Sequence, residues 1–263
     1  MGEFTGTVYY RQRSILVVTP TFVAPAGDRT LRRPTVRLLL AASGTFQLTF
    51  QDGRQMEAYA VLLAPQAALK LVQAEQVDFA LFDFAAASPE YVALEPLLEG
   101  REVRVLDPAH FQPLQARLMA AQAGSLNCAE VTELADHAVE ILTGRRPAPL
   151  AFDTRVMKAL ELIEQLPLAE IKLARLAQAV NLSPDRLRHL FRACTGSTVS
   201  QYARSTAVWH ALMLLSDQRS ITDASHAAGF HDVSHFYRSY ADLFGISLSE
   251  KNNIRKFRRV RCF

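Results

Sequence analysis

At 263 residues, the chain is long enough for one large domain or two small ones. Its 49% apolar and 21% charged side chains are globular material, which excludes a wholly disordered chain or a coiled coil. The net charge of +3 hides an asymmetry: residues 1–150 carry 13 basic and 16 acidic side chains, residues 151–263 carry 16 and 10.

The opening MGEFTGTVYYRQRS lacks the basic start and apolar stretch of a secretory signal. The densest apolar run, 36–42, is broken by Arg37 and is far shorter than the ~18 residues that span a bilayer. A cytoplasmic protein with no membrane partner is expected. Strands are expected at 15–18, 36–40, 45–50, 55–63 and 77–82, between Pro and Gly punctuation. In GTFQLTF, Phe46, Leu48 and Phe50 alternate with Thr45, Gln47 and Thr49, the period of a half-buried strand. Asp52-Gly53 suits a tight hairpin back into MEAYAVLL. Short antiparallel strands of this kind predict a small barrel or sandwich, with Phe46, Leu48, Tyr59 and Phe79 as candidate lining for a pocket.

From Pro89 the pattern turns helical. Phe111, Leu114 and Leu118 share one face, and a second helix starts at Asn127, an N-cap with Glu130 completing a capping box. That helix carries the stripe Val131, Leu134, Ala138, Ile141 and Leu142, which either packs on its own barrel or holds a homodimer together, and it stops at Gly144. Arg145-Arg146-Pro147-Ala148-Pro149 then marks the domain boundary. Three cysteines (Cys128, Cys194 and Cys262) are odd in number and have no CxxC pair, so neither a disulfide framework nor a zinc site is expected. They read as buried small residues plus one exposed tail thiol, with Cys194 near Arg192 the candidate for a reactive one.

Beyond the boundary every segment is helical: 157–166, 171–180, 184–195, 199–216, 221–228 and 233–244. Two stretches repeat, LARLAQAVNLSPDRLRHLFRACTG and ITDASHAAGFHDVSHFYRSYADLFG. Ala177 and Leu182 match Ser225 and Phe230 at an offset of 48; Leu187, Phe191 and Gly196 match Phe236, Tyr240 and Gly245 at 49. One supersecondary unit has been used twice, with one residue inserted in the second turn. It reads as helix-turn-helix: a small residue at the crossing, Asn181 or Gly229 able to turn left-handed, an apolar plug, then a cap by Ser183 or Asp232. A helix displayed in this way fits a DNA major groove.

The stretches NLSPDRLRHLFRACTGSTVSQY and SITDASHAAGFHDVSHFYRSYADLFGIS resemble the DNA-binding domain of the AraC/XylS family of bacterial transcription regulators over roughly residues 155–250. The resemblance implies a two-domain α+β chain: residues 1–148 form a degenerate cupin-like β-barrel with flanking helices, for sensing and dimerisation. Residues 149–263 form an all-α domain with two helix-turn-helix units joined by a long helix, plus a basic tail. Carried over, Asp185, Arg188 and His189 of one reading helix and Val233, Ser234, Tyr237 and Arg238 of the other would face DNA. The tail residues Lys251, Arg255, Lys256, Arg258, Arg259 and Arg261 read as a phosphate-binding arm. Ala207, Ala241 and Asp242 stand where the family usually carries basic side chains, and Leu248 where it has Pro.

The implied partners are double-stranded DNA, a small-molecule effector, RNA polymerase and a second copy of the chain. No catalytic constellation, metal ligand set or cofactor motif is found, because the barrel half offers only His110 and His137, and Leu69 falls where a metal-binding cupin places histidine. His226, His231 and His235 lie at the second turn and are assigned to DNA or solvent rather than zinc. The competing reading is an interaction module that has kept the fold but lost autonomous DNA binding.

Overall fold

The structure is a computed structural model and describes residues 5–11, 13–25, 33–216, 219–244 and 257–262. They divide into two compact units. One runs to Pro149 and includes the terminal strand; the other is Leu150–Leu243.

The first unit is a mixed sheet of β1 (Gly6–Arg11), β2 (Ser14–Pro25), β3 (Thr35–Ala41), β4 (Phe46–Phe50), β5 (Gln55–Ala58), β6 (Ala60–Leu63), β7 (Leu69–Ala85), β8 (Val103–Val105) and β9 (Phe257–Cys262). Its order is β8-β6-β3-β7-β2-β1-β9, with β4 pairing β5 and β7. The long β7 is the spine: its second half pairs with β2 and β3, and its first half with β2 and β4. The sheet bends where Pro20 of β2 has no N–H to give and the register slips between Thr19 and Thr21. Opposite, Gln76 and Asp78 take φ of 55° and 47°. Only the second half of β7 was expected, because LKLVQAEQ is too polar to announce a strand.

Strand alternation sends side chains to two cores. Tyr9, Leu16, Leu38, Leu40, Phe82 and Phe84 pack with the helices α1 (Pro89–Leu94), α2 (Gln115–Gln122) and α3 (Cys128–Thr143). Leu39, Phe46, Leu48, Phe50, Val61 and Phe79 fill the opposite face. There Phe79 stacks on Phe22 at 5.1 Å and meets the edge of Phe46 at 5.3 Å. Phe46, Leu48 and Phe79 are therefore core residues and not pocket lining, whereas Tyr59 is half exposed.

The capping box of α3 forms: Asn127 accepts the Glu130 N–H at 3.0 Å and Glu130 accepts the Asn127 N–H at 2.7 Å. The apolar stripe behind it is not left for a partner. Val131, Leu134 and Ala138 are completely buried in their own unit, and Ile141 and Leu142 pack against the same core. The dimer role is corrected for Val131, Leu134 and Ala138, since a residue already removed from water gains nothing from a second copy. Leu134→Asp should unfold the sheet unit, because it costs on the order of 4 kcal/mol in lost burial and an unpaired buried charge. Circular dichroism melting with sedimentation checks this, and a folded monomer would restore the dimer reading.

Two further expectations fail at the tail. Residues 257–262, assigned to the helical domain, form β9 and pair in parallel with β1 from Gly6↔Phe257 to Arg11↔Cys262. Arg258, Arg259 and Arg261 are thus on a sheet edge instead of a loose arm; Lys251, Arg255 and Lys256 lie outside the described residues. Cys262 is not a free thiol either, because it is disulfide-bonded to Cys128 at the start of α3, with Cα atoms 5.1 Å apart. Cys194 is free and half-buried.

Candidate nucleic-acid interface

The second unit is all helical: α4 (Thr154–Gln165), α5 (Leu173–Ala179), α6 (Pro184–Thr195), α7 (Val199–Ser216), α8 (Ile221–Ala227) and α9 (Val233–Phe244). The sequence repeat becomes a repeat of hydrogen bonds. After α5, Leu182 donates its N–H to the Ala177 carbonyl (2.9 Å) and Asn181 to Gln178 (3.1 Å); after α8, Phe230 donates to Ser225 (3.0 Å) and Gly229 to His226 (2.9 Å). This is one C-terminal motif formed twice, closing each helix with a left-handed residue, Asn181 at φ 55° and Gly229 at φ 84°.

The following helix is capped in both copies. The Ser183 hydroxyl accepts the Arg186 N–H at 3.3 Å, with Pro184 in the first turn. Asp232 accepts the His235 N–H at 2.6 Å and sits one position later in its repeat, so the inserted residue falls in the turn. That backbone bond, with His231 at 3.1 Å, holds the Asp232 carboxyl below its ordinary range.

Helix periodicity then sorts the side chains. Ala177 and Ser225 are buried at the crossings, and the Ser225 hydroxyl is satisfied by the Ile221 carbonyl at 2.6 Å. Leu187, Phe191, Phe236 and Tyr240 are buried, Phe230 plugs its corner, and Leu182 is half-buried. Gly196 ends α6 at φ 67°; its counterpart Gly245 lies outside the described residues. On the outer face of α6, Asp185, Arg188 and His189 are exposed, and Arg188 is ion-paired with Asp185. On α9, Ser234 and Arg238 are exposed, while Val233 and Tyr237 are half-buried.

Arg186 and Arg192 are also exposed on α6 and were missed, although Arg192 follows Arg188 by four positions and so shares its face. His231 is exposed and His235 turns its ring edge-on to Phe230 at 5.2 Å. Ala207 is buried in α7, so it stands in the packing of this unit and is not a vacant phosphate contact. Ala241 is half-buried, Asp242 exposed, and Leu248 outside the described residues.

Comparison with known proteins reaches the same segment. Residues 176–253 match the family described as "Helix-turn-helix domain". The chain is 33% identical over 149 residues to the arabinose operon regulatory protein of Salmonella typhimurium, covering 54% of this chain and 52% of that one. The described part of residues 176–253 is thus a helix-turn-helix domain in both its geometry and its sequence similarity. Over 95 residues the chain is also 36% identical to the transcriptional activator NphR of a Rhodococcus species, covering 36% of this chain and 28% of NphR. The chain spans about half the length, or less, of the curated relatives it matches. In fold, it resembles ToxT from Vibrio cholerae O395 with a TM-score of 0.54 at 12% identity, covering 92% of this chain and 97% of that one. A second ToxT structure, with an unsaturated fatty acid bound, gives 0.54 at 11% over 92% and 96%. The likeness to ToxT therefore extends the shared fold to the sheet unit as well.

Proposed function

We propose that the protein is a sequence-specific DNA-binding transcription regulator, with α6 and α9 as reading helices and the sheet unit as sensor for a small molecule. The carrying observation is the duplicated turn geometry, which leaves Arg188 and Arg238 exposed on capped helices whose other face is buried. Two reading helices fit two major-groove contacts, with Arg suited to guanine edges and phosphates. Such a protein works in the cytoplasm, beside DNA and RNA polymerase. Among the described residues, no helix is long and apolar enough to cross a membrane.

For the effector, the sheet unit offers a half-open groove of about 410 Å³ lined by Leu40, Tyr59, Phe111 and Leu118, with Asp107 and Gln115 as polar groups. Apolar walls with a few polar groups suit a modest organic molecule. The fatty acid seen in ToxT makes lipid-like acids the first compounds to try. Gel-shift titration of the full chain against upstream regions of its own genome tests the reading, with and without candidate effectors. Specific retardation is expected, and a change with effector should disappear in Tyr59→Ala. Absence of any preferred site at low salt would overturn DNA recognition, and an unchanged effector response in Tyr59→Ala would move the effector away from this groove.

A further inference from the structure

We infer that Cys128 and Cys262 form a thiol–disulfide redox site whose oxidation holds the arginine-bearing tail as a strand on the β1 edge and whose reduction releases it. Geometry carries this. Among the described residues, β9 is an edge strand whose ladder is made to β1 alone, in parallel, and none of its six residues is buried. Such a pair is weak by itself, since parallel ladders are slightly less stable per residue and a lone peripheral strand covers little apolar surface. Beyond the ladder, Val260 and Cys262 lie against the sheet-unit core, and Arg258 donates to the Gly124 carbonyl at 3.2 Å.

The covalent bond adds what these contacts lack. It joins residues 134 apart in sequence and closes a loop that contains the whole of Leu150–Leu243. Without the bond, docking β9 on β1 must close that long loop by weak contacts at each encounter; with it, the closure is already made. Docking and oxidation are therefore coupled. Both cysteines are only half-buried, so a reagent can reach them. Reduced Cys128 occupies the first position of the 16-residue α3, where the positive end of the helix favours the thiolate that attacks disulfides.

The chemistry balances as two exchanges with a low-molecular-weight disulfide such as oxidised glutathione. The Cys128 thiolate attacks it, forming a mixed disulfide and expelling one thiolate. The Cys262 thiolate then attacks the Cys128 sulfur and expels the second. Two protons and two electrons pass from the cysteine pair to the oxidant, which leaves as two thiols. A dithiol reverses the sequence. In a compartment kept reducing, a disulfide of this kind is a signal and not a staple.

The consequence for DNA rests on the regulator reading, but the switch itself does not. When the strand is docked, Arg258, Arg259 and Arg261 are held on the sheet edge; when it is released, they become a mobile basic arm available to phosphates.

The test uses the full chain, oxidised with glutathione disulfide, reduced with dithiothreitol, and as Cys128→Ser and Cys262→Ser. Mass mapping of the oxidised protein should recover the 128–262 cross-link within one chain. Amide hydrogen exchange at residues 7–11 and 257–262 should be slow in the oxidised form. It should be faster by about tenfold or more in the reduced form and in both variants. Equal protection in all states, or a cross-link found only between chains, would overturn the inference. In parallel, the reduced form should bind duplex DNA with a log-log salt slope steeper by about 1–3. If neither state binds DNA, the proposed function falls while the exchange result still judges the switch. If both bind with the same slope, the tail plays no part in contacting DNA and the consequence drawn for its arginines is overturned.

Discussion

Gly229→Ala should destabilise the helical unit by about 3 kcal/mol, from a left-handed backbone and a steric clash together. At φ 84° an alanine pays the left-handed cost that glycine avoids. Its Cβ would lie 2.5 Å from the Leu168 backbone nitrogen and 2.8 Å from that of Ala169, with Pro167 also close. Those atoms belong to a backbone segment that is itself pinned, because the Leu168 N–H donates to the Ala228 carbonyl at 3.1 Å. Backbone cannot rotate aside as a side chain would. The equivalent residue of the first turn supplies a control. Asn181 has the same hand, at φ 55°, but is exposed. Asn181→Gly should therefore leave stability within about 1 kcal/mol. Urea unfolding of the helical signal measures both, and a Gly229→Ala protein as stable as wild type would show that the second turn is not packed as described.

The same residues explain what could be read in the sequence. Local rules act within a few positions, and there the reading is close. The periodicity of Leu187, Leu190 and Phe191, the Ser183-Pro184 start and the Gly196 stop define α6, and the inserted residue was visible as a change of offset from 48 to 49. Where partners lie far apart, sequence is mute. Only RVRC, residues 259–262, alternates basic and apolar side chains as a strand would, and the ladder partner GTVYYR lies about 250 positions earlier, so charge dominated the reading. The cysteine pair was missed for the same reason, since neither spacing nor count betrays a bridge across 134 residues. The α3 stripe was left between two readings. Val131, Leu134 and Ala138 would show the same helical period whether they met a second copy or their own sheet, and only the fold shows that the sheet already covers them.

Arg188→Ala and Arg238→Ala should each weaken binding to a specific operator by ~1–3 kcal/mol, roughly 5–150-fold, and relax selectivity at different base pairs. Each arginine is exposed on a helix whose opposite face is buried, so removing it disturbs no core and the loss is read at the DNA. The two should add nearly independently, because they serve separate repeats. Arg188 carries a built-in competitor in the carboxylate of Asp185. An exposed pair of this kind is worth under about 1 kcal/mol, less than an arginine gains on a guanine edge, so DNA wins the exchange. Asp185→Asn should then strengthen non-specific binding slightly and blunt discrimination, since an uncommitted arginine meets any phosphate. The interaction-module alternative predicts none of this. It leaned on Ala207, Ala241 and Asp242 as lost basic positions and on the balanced charge of residues 151–250, but Ala207 is packed inside its own unit, which removes one of these supports. Fluorescence anisotropy with operator and scrambled duplexes at two salt concentrations separates the readings. If both arginine variants bind the two duplexes as the wild type does, the reading helices have been assigned to the wrong faces.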